Sequence, residues 1–435
     1  MPLSVIKDMH PEVVRCNRCG FCQPTCPTYR MTGLETGVAR GRNALCRELA
    51  EGKLPVRRDL GPALFECLLC RACTANCFPA VRTDEIVVAA RAEYVAELGQ
   101  PALLRFIFRE LLPNPDRMAH LVRLLGLGKR TGLSGLARVA RILGLFGKEV
   151  ERADQFLPKV PREFLRDRLD RITTQAKLDP EKGRGQSAAM RVGYFVSCGI
   201  NFALPQAGEA AIRFLVRHGA EVVPLDNCCC GLPAYAYGDL DAARRLAAQN
   251  LAILTGADVD AIVSDCASCS SFLKEYPRLL AGDAVLAEKA QALRAKTTDF
   301  TALAEKLATP PSAARPAAES DKRIVTWHDP CHLSRYQSVT AAPRKLLKAM
   351  AGLEFREMPE ADWCCGGAGS YSIAHYDLSM RILDRKMGNL AKTGADLLVT
   401  ACPSCILQLS HGVRRAGLSV EVKHISEVLM GGIAD

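Results

Sequence analysis

The chain has 435 residues, 49% hydrophobic and 24% charged, with a net charge of +10. That is material for about two to four packed domains. The positive charge would suit nucleic acid or a membrane surface. However, no basic, aromatic-interleaved stretch supports nucleic acid, and thiolates among the twenty cysteines would offset the formal count.

At the N-terminus, MPLSVIKDMHPEVVRC lacks the apolar core and small-residue cleavage site of a signal peptide. No run of about 18 apolar residues occurs, so no transmembrane helix is expected. A cytoplasmic setting is expected, where a cysteine-rich chain points to metal or redox chemistry and not to a disulfide framework. Residues 16–27 read CNRCGFCQPTCP, the pattern C-x2-C-x2-C-x3-C-P, with Cys16, Cys19, Cys22 and Cys26. Residues 67–79 read CLLCRACTANCFP, with Cys67, Cys70, Cys73 and Cys77 at the same spacing and the proline one residue later. This is the bacterial ferredoxin spacing for 4Fe–4S clusters. Three thiolates on a tight loop hold three irons, and each run's fourth cysteine reaches the other cluster. One cluster is expected on Cys16, Cys19, Cys22 and Cys77, the other on Cys67, Cys70, Cys73 and Cys26. Zinc knuckles are the competing reading, but zinc takes two C-x-x-C pairs and has no need of a third spacing. Arg18, Arg40, Arg42 and Arg71 adjoin these cysteines in sequence. They either raise a cluster potential, which Arg18→Ala would lower, or pair with carboxylates. Cys46, in the helical stretch NALCREL, reads as a core residue.

Residues from about 98 to 175 hold no cysteine. ALLRFIFRELL, MAHLVRLLGLGKR and LSGLARVARILGLFGKEV place apolar residues at helical spacing with Arg and Lys between them, which predicts amphipathic helices. The stretch 101–147 either packs on the protein or a partner, or touches a membrane surface. GKRTGLSGLAR (128–138) is basic and glycine-spaced but follows no strand, and neither a P-loop nor a dinucleotide fingerprint occurs. DPEKGRGQSA (179–188) and ATPPSAARPAAESDK (308–322) read as linkers.

Residues 190–307 and 323–431 form an internal repeat. Each half opens with an apolar run ending at a cysteine, RVGYFVSCG and RIVTWHDPCH. Each then carries Cys-Cys-Gly, a further apolar run and C-x-x-C. The first half supplies Cys198, Cys229, Cys230, Cys266 and Cys269. The second supplies Cys331, Cys364, Cys365, Cys402 and Cys405. The tails TTDFTALAEKL and VKHISEVLM also match. Strands alternating with helices predict a small, mainly parallel sheet per half, with the cysteines at strand ends. Five thiols on one cleft exceed what a single zinc needs. Cys228 is extra to the motif, either a buried spectator or a further ligand. His328, Asp329 and His332 either orient the Cys331 loop by hydrogen bonds or supply a proton. Turnover that survives His332→Ala would exclude the proton role.

The repeated C…CCG…CxxC pattern resembles the cysteine-rich CCG domain of heterodisulfide reductase catalytic subunits. Two ferredoxin runs followed by two such domains resemble the iron–sulfur subunit of glycolate oxidase (glycolate dehydrogenase). Related D-lactate and glycerol-3-phosphate dehydrogenase subunits share the order, and ARGR (39–42) resembles the same family. The likeness covers residues 10–95 and 190–430; the helical middle matches only in kind. The two halves differ after their glycine, CCGLPAY against CCGGAGS.

The resemblance implies a multidomain α and α/β protein. A ferredoxin-type helical domain spans 1–97 and a helical connecting segment 98–178. The first CCG domain spans 190–307, a linker 308–322 and the second CCG domain 323–435. The CCG domains are expected to pack about a pseudo-two-fold axis. Each five-cysteine set is implied to hold a noncubane 4Fe–4S cluster, although in some CCG proteins one site takes zinc or is incomplete. No flavin signature is evident, so FAD is expected in a partner 2-hydroxy-acid dehydrogenase chain. This chain would pass its electrons to an acceptor such as quinone and would contribute no catalytic residue of its own. It would lie in the cytoplasm or at the inner face of the cell membrane. Two other readings are direct disulfide reduction at the CCG clusters and a non-enzymatic zinc-structured binding module.

Overall fold

The computed structural model describes residues 6–131, 160–177, 190–308 and 322–431. The helix expected over 133–150 and most of both expected linkers lie outside them. The N-terminal module is made of short helices. His10–Val13 leads into the first cysteine loop, Pro27–Thr32 leaves it and Ala39–Ala50 crosses behind. Pro27 takes the first turn of its helix, where the missing N–H leaves no bond unmade. After the second loop comes Thr83–Leu98, in which every side chain from Thr83 to Arg91 is buried. A helix buried all round lies inside the molecule and not on its surface. Its Ile86, Val87 and Ala90 share a core with Leu225, Ala243 and Leu246 of the following domain. Gly238 allows the close approach: its φ is +86°, and a Cβ there would lie 2.6 Å from the Arg91 carbonyl carbon.

In the connecting segment, Ala102–Phe106 continues into a π-turn at Ile107–Leu111 and then Pro115–Arg130. Asn114 caps that last helix, its side chain accepting from Arg117 N at 3.4 Å. Phe108, Leu111 and Leu112 pack inward, as an amphipathic reading expects, whereas Leu103, Phe106, Leu124 and Leu125 face solvent. Among the described residues no helix is long and apolar enough to cross a membrane.

The two halves of the repeat are two parallel four-stranded sheets. The first runs β2-β1-β3-β4, with β1 Arg191–Tyr194, β2 Glu221–Pro224, β3 Ala261–Ser264 and β4 Thr297–Asp299. The second runs β6-β5-β7-β8, with β5 Arg323–Trp327, β6 Leu353–Phe355, β7 Leu397–Thr400 and β8 Glu421–His424. β3 (AIVS) and β7 (LLVT) are buried along their whole length, as central parallel strands covered on both faces must be. In each sheet the chain runs outward from the first strand and then returns past it to the third. The carboxyl ends of those two strands therefore flank a topological switch point, the usual site of an open α/β sheet.

The halves meet about a pseudo-two-fold axis. Helix Pro205–Arg217, which follows β1, packs on Ile425–Leu429, which follows β8. Reciprocally, Phe300–Leu307 packs on Ala341–Ala349. The C-x-x-C helix of each half touches the first-cysteine helix of the other, Ala267–Leu273 on Cys331–Gln337 and Pro403–Ala416 on Cys198–Ala203. One core runs through both, with Val192, Tyr194 and Leu215 from the first half and Val325, Trp327 and Leu398 from the second.

Candidate iron–sulfur centres

The two ferredoxin-spaced loops share one backbone device. In the first, Arg18 and Gly20 take left-handed φ values of +54° and +92°. In the second, Leu69 and Arg71 at the same offsets take +53° and +56°. Three of these four residues have a Cβ, so the conformation is held against its steric cost. Such turns curl the chain around a centre and aim successive N–H groups inward, as in many iron–sulfur sites. Cys16, Cys19, Cys22, Cys73 and Cys77 line one open pocket. Cys26 is buried behind it, near Thr28 Oγ1 at 3.2 Å and the Gly37 carbonyl at 3.4 Å.

Burial pushes the Cys22, Cys67 and Cys73 thiols up, and Cys70 is raised by its hydrogen bond to Cys364. Buried cations lie against this set. Arg42 is 2% exposed and donates to the Ala63 carbonyl at 2.7 Å and the Gly37 carbonyl at 2.8 Å. Arg91 is 4% exposed and donates to the Leu64, Cys67 and Ala236 carbonyls. A buried charge needs an opposite charge, and metal-bound thiolates would supply it. Two other arginines near the cysteines pair with carboxylates: Arg40 with Glu35, and Arg71 with Asp84 at 2.8 Å, Glu85 and Glu275. Arg71 also lies 3.8 Å from the Tyr336 ring centre, which ties the second loop to both following domains.

The ten repeat cysteines fall at strand ends. Cys198 and Cys331 open the helices that follow β1 and β5. Cys266 and Cys402 cap the helices that follow β3 and β7. The Cys-Cys-Gly loops follow β2 and β6, and Gly231 and Gly366 both adopt left-handed φ, +93° and +83°. All twenty cysteines are free. The thiols form a continuous line of close neighbours. It passes from Cys198 through Cys229, Cys230 and Cys269 to Cys266, which meets Cys402 across the axis. It continues through Cys405, 3.6 Å from Cys365, to Cys364, which touches both Cys331 and Cys70. Cys230 accepts from Cys229 and Cys269 and is held down to about 5. Cys402 and Cys365 are likewise held well below the usual thiol range, each by two thiol neighbours. Cys198, Cys229, Cys266, Cys269, Cys331 and Cys405 are raised instead. Five free thiols gathered at each switch point, some poised towards thiolate, are metal-ligand chemistry, so the residues fit iron–sulfur groups.

The remaining named residues separate by role. Cys46 is fully buried in helix Ala39–Ala50. Cys228 donates to Asn250 Oδ1 at 3.4 Å, off the line. Its counterpart in the second half is Trp363, immediately before Cys364. Asp329 accepts from Trp327 Nε1 at 2.7 Å and from Arg344 at 2.7 and 3.0 Å, a structural anchor. His332 Nδ1 meets Ser271 Oγ at 2.7 Å, and its ring stacks on Tyr336. Burial pushes His332 down to about 4, which leaves it a neutral ring at pH 7. His328 is buried between Cys365 and Cys405, and burial pushes it down to about 3.

Sequence reasoning missed Arg91, His424 and the docking of Cys70 on Cys364. Arg91 had a signal, a lone cation in the apolar run IVVAARA. His424, whose Nε2 lies 2.8 Å from the Asp265 carbonyl across the domain interface, had none.

Comparison with known proteins agrees with this architecture. A cysteine-rich CCG domain model matches residues 192–274 and 325–410, and a 4Fe–4S dicluster domain model matches 12–80. A model of the linker region of the glycolate oxidase iron–sulfur subunit matches 99–157. The chain is 34% identical over 427 residues to a probable glycolate oxidase iron–sulfur subunit of Bacillus subtilis, covering 96% of this chain and 94% of that one. It is 35% identical over 243 residues to lactate utilization protein A of Bacillus thuringiensis, covering 55% and 98%. Matching the Bacillus subtilis protein almost end to end, with the same cysteine-rich modules recognised, the chain belongs to the glycolate oxidase iron–sulfur subunit family.

Proposed function

We propose that this chain is the electron-transfer subunit of a flavoprotein 2-hydroxy-acid dehydrogenase acting on glycolate or D-lactate. It takes electrons from FAD on a partner chain and delivers them to an acceptor such as quinone. The observation that carries this reading is the unbroken thiol line from Cys70 to Cys198. Cys16, Cys19, Cys22 and Cys77 would hold one 4Fe–4S cluster, and Cys67, Cys70, Cys73 and Cys26 the second. The two five-cysteine sets would hold one cluster each. Clusters bound there supply single-electron transfer.

The chain's own residues set the two ends. Cys19 is exposed, and Phe21 and Phe78, next in sequence to Cys22 and Cys77, are 64% and 94% exposed, apolar surface where a partner would dock. Cys70, Cys229, Cys230, Cys266, Cys269, Cys364, Cys365, Cys402 and Cys405 are buried, which keeps water from most of the route.

Iron, sulfide and zinc analysis of anaerobically purified protein tests the ligand sets, with about 16 irons per chain expected. About 8, with zinc, would remove the CCG clusters. Mixing with the flavoprotein partner and glycolate or D-lactate should bleach the cluster absorbance, and a decyl-benzoquinone should restore it. Clusters that stay oxidised with both substrates sink the reading. Recovery with a disulfide but not with the quinone would replace it by direct disulfide reduction.

A further inference from the structure

The pseudo-two-fold axis lets the two five-cysteine sites be compared atom for atom. Phe195 N donates to the Val263 carbonyl at 2.8 Å, and His328 N donates to the Val399 carbonyl at 3.0 Å. Phe195 and His328 are therefore equivalent, each three residues before its first cysteine. Counting on from Cys198 and Cys331, Phe202 matches Arg335. On the helix behind the Cys-Cys-Gly loop, Gly231 packs on Leu246 as Gly366 packs on Ile382, so Asn250 matches Lys386. Phenyl, phenyl and amide fill these positions at the first site, where Arg166 also lines the pocket of Cys198 and Cys229 but is bound to Asp226 and the Asn227 carbonyl. Imidazole, guanidinium and ammonium surround the second.

All three second-site groups are placed to act on it. His328 is 1% exposed, and a ring nitrogen lies within 4.8 Å of both Cys365 Sγ and Cys405 Sγ. Its Nδ1 has no hydrogen-bond partner, a rare condition for a buried polar atom. Lys386 is fully buried, its charge facing Cys365 and Cys364 while Nζ donates to the Glu360 and Ala361 carbonyls. Arg335 faces Cys70, Cys331 and Cys364 and donates to the Cys70 carbonyl at 3.3 Å. The nearby carboxylates are engaged: Asp362 with Arg335 at 2.9 Å and Asp329 with Arg344 at 2.7 Å.

We propose that His328 directly contacts the iron–sulfur group of the second CCG site, and that with Lys386 and Arg335 it makes this the higher-potential site of the two. The proposal rests on the reading above that both CCG sites hold clusters. Reduction adds negative charge to a cluster. Hydrogen bonds or nitrogen contacts and nearby cations favour the reduced form, most strongly in a dry interior. Phe195 and Phe202 offer the first site nothing comparable. Because Cys70 abuts Cys364, the second site is also the one that adjoins the ferredoxin module. Electrons leaving that module would find a favourable sink first and reach the first site only as the second fills.

The test uses the full-length, anaerobically purified holoprotein labelled with 15N-histidine. The EPR signal lost in Cys405→Ser marks the second site. In the wild type that signal should show a 15N coupling by pulsed EPR, absent from the first-site signal and lost in His328→Phe. His328→Phe should also lower the reduced-to-oxidised ratio at fixed potential at least tenfold, a shift of about 59 mV for one electron. Phe195→His should move the first site the other way. Should His328→Phe fail to fold, the wild-type coupling still decides. Sixteen irons with no histidine coupling on either CCG signal would overturn this proposal and leave the electron-transfer reading standing. Eight irons would overturn this proposal together with its premise of CCG clusters and leave the ferredoxin pair as the electron carrier.

Discussion

Gly366 turns left-handed so that Cys364 and Cys365 can both face the site. A Cβ there would lie 2.9 Å from the Ser379 carbonyl oxygen. Gly366→Ala should cost about 1–3 kcal/mol, read as a lower urea midpoint with an unchanged slope. Asp299 shows the opposite kind of strain. It accepts from Ser270 Oγ at 3.1 Å and Thr301 N at 2.8 Å, yet burial pushes its carboxyl up to about 6. Unfolded, it ionises near pH 4. Between pH 4 and 6 the unfolded chain loses this proton while the folded one keeps it, so stability falls as pH rises through that window. The fall is on the order of 2–3 kcal/mol. Asp299→Asn should keep the cap and flatten the slope between pH 4 and 6. A slope as steep as wild type would remove Asp299 as its cause. Asp265, pushed up to about 7, keeps a slope of its own through the same window and on to pH 7, so removing Asp299 lessens the slope without abolishing it. None of this was legible in the sequence: an aspartate before a helix reads as a cap, and its burial is decided by residues far along the chain.

Helix Thr83–Leu98 is the element on which the modules are assembled. Arg91 fastens it by donating to the Leu64, Cys67 and Ala236 carbonyls. Arg91→Met would leave these buried acceptors unmatched, at a cost of about 3 kcal/mol. The checks are denaturation and iron retained after gel filtration, both expected to fall. The strands and cysteine loops were readable because the repeat states each offset twice, so Cys229 and Cys364 identify each other. This helix was not. Enclosure on every side erases the polar stripe that reveals a helix, and Arg91's bond to Ala236 spans 145 residues.

At the scale of the whole molecule, the two CCG domains share one core. Val192, Tyr194 and Leu215 pack in the same cluster as Val325, Trp327 and Leu398. A fragment of residues 190–308 should therefore aggregate when expressed alone and become soluble when co-expressed with 322–431. A folded, monomeric fragment would go against this. The order of the modules was legible from spacing alone, and so was the pairing of halves. Which CCG domain meets the ferredoxin module was not, since Cys70 and Cys364 carry no sequence mark of their contact.

Burial is also uneven among the thiols. Cys19 is exposed, Cys16, Cys22 and Cys77 beside it and Cys198 and Cys331 in the repeat are half-buried, and Cys229, Cys230, Cys266, Cys269, Cys402 and Cys405 are buried. Cys19 is thus the thiol most open to a diffusible oxidant. Dioxygen should strip iron from the Cys16–Cys22 end first and the strand-end sites last, so bleaching in air should proceed in stages. Partly bleached protein would have lost its intake from the partner while its interior was still loaded.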